Sequence, residues 1–194
     1  MRNLKFAFFF GLTVGLHSPI GLASENSIEP KVSTIGGVTT ATIIVPVANG
    51  RAWDVLTRYE STGIRMPDIK DAKVLVRSGN SLKLSQVYQA PYTFGLEIQA
   101  VLVIKETPKN KIEYQLVKGE LIRSLKGSWN LTPVHGGTLV SHVIEIDPEV
   151  PEIIKPLFYE LSETNLSQSM LILRKLMLEP SKPQHLGALA LPDR

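Results

Sequence analysis

The sequence predicts an α+β fold in which a curved antiparallel β-sheet is closed by one long C-terminal helix. Three observations lead there. Ala72 to Asp147 is a succession of short stretches that alternate apolar and polar residues, with turn residues between them. The links are of hairpin length, so strands adjacent in sequence pair in space. Pro151 to Leu178 is the one segment beyond the N-terminus long and periodic enough to make a long helix. A large sheet with one apolar face needs a cover, and this helix is the only sizeable one available.

Ser24 to Ile35 is polar, contains Pro30, and reads as a flexible leader that Gly36-Gly37 brings to an end. Val38 to Val45 is β-branched almost throughout and reads as a first strand. From Pro46 to Tyr59 the period changes. Ala52, Trp53, Val55, Leu56 and Tyr59 recur at helical spacing, with Asn49 as N-cap and Trp53 as a packing anchor. Gly63 and Pro67 end this region, and Met66 to Lys70 suits one further helical turn.

Six strands are then expected: residues 72–76, 82–88, 94–104, 112–118, 121–132 with an interruption at Gly127, and 138–147. Ser78-Gly79-Asn80, Pro108-Lys109-Asn110 and His135-Gly136-Gly137 are turns, and Gly119 marks a bulge or tight corner. Pro148 and Pro151 bracket the start of the long helix. Pro156 is tolerated in its first turn, where a missing N–H costs nothing. Ile154, Leu157, Phe158 and Leu161 make its first part apolar, Ile172, Leu173 and Leu176 its last, and Ser162 to Ser169 is polar. The ends should clamp the sheet while the middle lies over a pocket or its mouth. Pro180-Ser181-Lys182-Pro183 breaks the pattern.

The N-terminus carries an address. Arg2 and Lys5 precede an apolar run from Phe6 to Leu16. Ser18-Pro19 and Gly21 break that run, and Ala23 offers a small residue for cleavage before Ser24. This is the three-part pattern of a secretory signal peptide, and the run is short for a bilayer span, which needs ~20 apolar residues. An uncleaved anchor is the alternative. The expected organisation is a signal peptide at 1–23, a leader at 24–36, one ligand-binding domain at 37–178 and a mobile tail at 179–194, in a periplasmic or secreted protein.

Composition excludes several function classes. The 194-residue chain carries a formal charge of +3, and losing Arg2 and Lys5 lowers it by two to +1, since residues 1–23 hold no acid. So little basic charge argues against a nucleic-acid partner. The absence of cysteine rules out disulfides, thiolate metal sites and a cysteine nucleophile. No histidines and carboxylates stand at ligand spacing, so neither a metal nor a cofactor is expected. There is no Gly-x-Ser-x-Gly elbow, and Gly36-Gly37 and Gly136-Gly137 lack the lysine and spacing of a phosphate loop.

Several stretches together resemble a known family. They are Ala52-Trp53-Asp54-Val55-Leu56-Thr57-Arg58-Tyr59 followed by Pro67; Gly127-Ser128-Trp129-Asn130-Leu131-Thr132-Pro133 followed by Gly137-Thr138; and the proline-bracketed long helix. Their order over Val38 to Leu178 is similar to the START-like (SRPBCC) superfamily, in its polyketide cyclase/dehydrase and coenzyme Q-binding branch. The resemblance implies a helix-grip fold, with the sheet wrapped around the terminal helix, and an apolar cavity for a hydrophobic small molecule between them. Members include lipid and quinone carriers, hormone receptors and aromatase/cyclases, so fold alone does not choose a function. Arg58 departs from the acidic residue of many relatives, and no role is carried over to it.

Strand parity and helix period nominate the inward-facing residues. They are Leu84, Gln86 and Tyr88; Phe94, Leu96 and Ile98; Tyr114 and Leu116; Trp129; His142 and Ile144; and, from the helix, Phe158, Leu161 and Asn165. An apolar wall with a few polar groups suits a small-molecule site. The same stripes would also fill a closed core. Gln86, His142 and Asn165 favour a cavity, because buried polar groups need partners that a ligand or water could supply. His142 reads either as a hydrogen-bonding group for a ligand or as a core histidine bonded to backbone. Lys118, Glu120, Arg123 and Lys126 form a solvated rim or, alternatively, a transient membrane-docking edge.

The leading expectation is an exported carrier for a lipid, isoprenoid or polycyclic compound. The alternatives are an aromatase/cyclase- or dehydratase-like enzyme, in which His142 or Tyr114 polarises a carbonyl, and an interaction module with a filled core.

Overall fold

The structure, a computed structural model, describes residues 29–89, 93 and 95–180. The expected signal peptide, nearly all of the expected tail, and Phe94 lie outside these residues. Alternating buried and exposed side chains build eight strands: β1 (Lys31–Ile35), β2 (Val38–Val45), β3 (Ile69–Ser78), β4 (Ser81–Tyr88), β5 (Ile98–Thr107), β6 (Lys111–Gly119), β7 (Ile122–Val134) and β8 (Gly137–Pro148). Helices α1 (Asn49–Leu56) and α2 (Tyr59–Gly63) lie between β2 and β3, and a 3-10 turn (Glu152–Ile154) leads into α3 (Lys155–Leu178). The strands form one antiparallel sheet in the order β1-β2-β8-β7-β6-β5-β4-β3.

Register shifts between Val74 and Val76 in β3, at Val101/Leu102 in β5 and between Ile122 and Ser124 in β7 bend the sheet, as bulges do. Its concave face receives α3, which buries Phe158, Asn165, Ser169, Met170, Leu173 and Met177. These share one side of the helix at about 100° per residue. The curved sheet and long helix make the helix-grip fold.

The leader ends earlier than the sequence suggests. Gly36 and Gly37 have φ of 59° and 82° and form a two-residue hairpin turn rather than a mere boundary. Lys31–Ile35 therefore folds back on β2, with Thr34 Oγ1 and Thr39 Oγ1 at 2.7 Å. Asn49 is not the N-cap of α1. Ala48 occupies that position, and the Asn49 amide reaches the Lys109 carbonyl instead. Met66 to Lys70 makes no further helical turn: residues 59–63 form α2, and β3 already begins at Ile69. β5 begins at Ile98 rather than at residue 94, and β7 runs through Gly127 without a break.

The far end of α3 is fastened by α1. Arg51 donates from Nε to the Met177 carbonyl at 3.0 Å and from Nη2 to those of Leu176 at 3.0 Å and Glu179 at 2.6 Å. A cation bonded to the last carbonyls satisfies orphan acceptors and opposes the negative end of the helix dipole. At the other end, Lys155 pairs with Asp147 of β8 at 3.4 Å and with Glu152 at 2.7 Å. No helix among the described residues is long and apolar enough to cross a membrane.

Candidate functional site

Helix and sheet do not close completely on one another. Three adjoining chambers remain between them. The inner one has a volume of about 170 Å³ and is walled by Leu84, Leu102, Ile104 and Ile112 from the sheet, Leu56 from α1 and Leu173 from α3. A side chamber of about 90 Å³ lies under the polar middle of α3, against Ser162, Asn165 and Ser169. An outer chamber of about 340 Å³ is bounded by Ile98, Leu121, Pro148 and Ile154. Asp68 and Ile144 line all three, so the spaces meet around these two residues. The outer chamber touches the start of β7. There the ladder between β6 and β7 has ended, since it pairs only Lys111–Gln115 with Lys126–Asn130. The inner chamber alone is about the size of a cavity that holds one aromatic ring, so a larger guest must extend through the junction.

The polar centre of the inner chamber is a pair. The Tyr114 hydroxyl lies 2.7 Å from His142 Nε2. Trp129 stacks on a face of the imidazole, with ring centroids 3.8 Å apart and planes within 2°. The strand register explains the arrangement. Trp129 sits opposite His142, and Gly127 sits opposite both Tyr114 and Ile144. Tyr114 therefore reaches across β7 over Gly127. A Cβ at position 127 would land on the Tyr114 hydroxyl and the Val143 carbonyl.

Burial pushes the His142 imidazole down to about 3, so the ring is neutral near neutrality. Burial pushes the Tyr114 phenol well above its ordinary range, with the fields of Tyr88 and Asp68 adding to the rise. Nδ1 of His142 is buried without a hydrogen-bond partner. When the proton sits on Nδ1, Tyr114 donates to Nε2 and the open Nδ1–H can serve an acceptor. In the other tautomer Nε2 donates to Tyr114 and Nδ1 can accept. Either way, one nitrogen is available to a guest.

Two further polar sets flank this pair. Tyr88 donates to Gln86 Oε1 at 2.6 Å, and burial followed by the field of Asp68 raises the Tyr88 phenol. Tyr59 donates to Glu106 Oε1 at 2.7 Å, while Arg77 grips both oxygens of the Glu106 carboxylate at 3.0 Å. Burial and this bond to a carboxylate raise the Tyr59 phenol. Among the described residues, no group of three or more His, Cys, Asp or Glu could hold a metal ion.

The structure brings most of the sequence-nominated residues together. Leu84, Gln86, Tyr88, Tyr114, Trp129, His142 and Ile144 line the inner chamber, Phe158 and Asn165 the side chamber, and Ile98 the outer one. Leu96 lies at the margin of the site, and Leu116 and Leu161 wall none of the three spaces. Leu96 precedes β5, is 55% exposed and borders only the outer chamber. Leu116 is partly buried against the core and touches the Gly119 corner, but walls none of the three spaces. Leu161 is half-buried at the margin of the α3 arc that faces the sheet. Phe94 lies outside the described residues.

Sequence reasoning missed the roof from α1 and α2, which includes Leu56, Tyr59, Thr62 and Gly63, and it missed Met66, Asp68 and Ile69 on the way into β3. The apolar period of the first helix was a usable signal for Leu56. Asp68 carried none, because it sits in a connection where neither period applies.

The family described as "Polyketide cyclase / dehydrase and lipid transport" matches residues 45–168 of this sequence. The chain belongs to that family. As a family member it shares its fold with solved structures at low sequence identity. TTHA0849 from Thermus thermophilus aligns with a TM-score of 0.66 at 16% identity, covering 73% of this chain and 97% of that one. A START superfamily protein from Mycobacterium smegmatis gives 0.59 at 16%, covering 70% and 95%. The Zhui aromatase/cyclase from Streptomyces sp. R1128 gives 0.59 at 12%, covering 72% and 92%. Comparison with curated proteins yields no match. Family and fold together support hydrophobic ligand binding or polyketide cyclase-like function for this member.

Proposed function

We propose that this family member is a carrier. In this reading the chain is exported to the periplasm or beyond by its N-terminal segment and holds a hydrophobic small molecule, such as a lipid, isoprenoid or polycyclic compound. The observation that supports it best is the run of adjoining, mostly apolar chambers with one unpartnered buried nitrogen, His142 Nδ1. Apolar burial would supply the affinity, at ~25 cal/mol per Å², and His142 the orientation. Leu96, Leu121 and Ile153 are exposed on segments at the outer chamber or beside it. They offer an apolar path between cavity and surroundings, and a means of transient contact with a membrane.

A second reading, an aromatase/cyclase- or dehydratase-like enzyme, draws on one observation, the Tyr114–His142 pair on the chamber wall. It is the weaker reading. A general acid or base works best with its pKa near the operating pH. Burial moves His142 down to about 3 and Tyr114 upward, away from neutrality on both sides.

Ser169 stands where inner and side chambers meet. Ser169→Leu should fill that junction and weaken uptake of an uncharged fluorescent probe such as N-phenyl-1-naphthylamine by about tenfold, with the melting temperature unchanged or raised. Wild-type protein that takes up no such probe, and carries no apolar adduct in native mass spectrometry after purification from its own host, would refute the carrier reading.

A further inference from the structure

The side chamber under the middle of α3 holds hydrogen-bonding capacity that the protein does not use. Thr39, His142, Ser162, Asn165 and Ser169 are the uncharged polar side chains of its wall. The hydroxyls are engaged. Thr39 Oγ1 lies 2.7 Å from Thr34 Oγ1, and Ser162 and Ser169 donate to the Phe158 and Asn165 carbonyls of their own helix, at 2.7 and 3.0 Å. The other two side chains are open. His142 Nδ1 is buried with no hydrogen-bond partner. The Asn165 side chain is only 8% exposed, and no hydrogen bond joins its carboxamide to any described residue. Buried polar groups of this kind cost stability until something pairs with them.

The position of the chamber limits what that partner is. Leu166, Ser169 and His142 are shared with the inner chamber, and Ile146 and Phe158 with the outer one. The open pair therefore stands between two apolar spaces. The phenols of the inner chamber are already bonded, Tyr59 to Glu106, Tyr88 to Gln86 and Tyr114 to His142. At about 90 Å³ the side chamber has room for one small polar group.

We infer that the side chamber recognises one uncharged oxygen of the guest, a carbonyl or hydroxyl set between two apolar parts of the molecule rather than at its end. This rests on the carrier reading and adds a ligand class to it. A ring-sized part fills the inner chamber, the other part runs into the outer one, and the oxygen turns towards α3. A carbonyl accepts from His142 Nδ1–H and from the Asn165 amide. A hydroxyl donates to one group and accepts from the other, since the carboxamide has both roles and the imidazole takes either by its tautomer. A guest whose oxygen sits at a chain end leaves both groups unpaired.

The test uses the delipidated protein and two isomers, 1-phenyloctan-1-ol and 8-phenyloctan-1-ol, competing with N-phenyl-1-naphthylamine. Ring, chain and hydroxyl are the same in both, but the hydroxyl stands beside the ring in the first and at the far end in the second. The first should displace the reporter at about tenfold lower concentration. That ratio should fall to near one in Asn165→Leu, which removes the amide at similar volume. A merely structural loss of affinity would weaken both isomers and leave the ratio standing. Equal competition by the isomers in the wild type, which needs no variant, or a ratio that Asn165→Leu leaves intact, overturns the oxygen site alone. Protein that binds neither the reporter nor either isomer overturns the carrier reading, and this inference with it.

Discussion

The buried imidazole of His142 makes stability depend on pH in a way that can be isolated. In the unfolded chain the ring titrates near its ordinary 6.5, whereas in the fold burial holds it down to about 3. Below pH 6.5 the unfolded state therefore binds a proton that the folded state refuses. Stability is complete above 6.5, declines as the pH falls, and levels off below about 3. The slope is about 1.4 kcal/mol per pH unit for one proton. From pH 7 to pH 4 the loss is about 3 kcal/mol, a large share of the ~5–15 kcal/mol that stabilises a typical domain. Carboxylates titrate in the same range, so the informative quantity is a difference. Urea unfolding of wild type and His142→Gln, a neutral side chain that can still bond Tyr114, should be followed across pH 4 to 8. The two free energies should converge by about 3 kcal/mol on acidification. Parallel curves would show that the imidazole gains a proton in the folded state, through water or a counter-charge, and would refute a buried neutral ring.

Two further outcomes follow from the packing. Gly127→Ala places a methyl group on the Tyr114 hydroxyl and the Val143 carbonyl. It should cost about 1–3 kcal/mol in urea unfolding, less than additively with Tyr114→Phe, since removing the hydroxyl relieves part of the clash. Arg51→Ala removes the donors to the Leu176, Met177 and Glu179 carbonyls. It should cost about 2 kcal/mol and speed amide exchange in the last turn of α3, while exchange in β4 and β5 changes far less.

Much of the site was legible because strand parity and helix period are local. Leu84, Gln86 and Tyr88 alternate on one strand, His142 and Ile144 on another, and Phe158 and Asn165 recur on the helix, so each set faces inward together. The exceptions share a different cause. Leu96 was assigned a face on a strand that starts two residues later, at Ile98. Leu116 packs against the core, but from the stretch of β6 beyond its pairing with β7, and it walls none of the three spaces. Leu161 has an apolar side chain at the margin of the arc of α3 that meets the sheet. Asp68 stands in a connection between α2 and β3, where no periodicity reports orientation.

The sequence by itself determined most of the succession from β2 to α3, the inward set on most strands, the polar middle of the terminal helix and the membership of a ligand-binding fold. These follow from pleat, helical pitch and turn chemistry, which act over a few residues. Tertiary structure alone decided which side chains meet. The pairing of β2 with β8 sets Thr39 opposite Ile144, and the β6–β7–β8 register carries Tyr114 over Gly127 to His142. The placement of α1 beneath the end of α3 brings Arg51 to its last carbonyls. Such contacts depend on register, bulges and sheet curvature, which are settled only when the whole sheet packs on its helix. That packing leaves His142 with one hydrogen-bond partner, Tyr114, a stacked Trp129 and one open nitrogen.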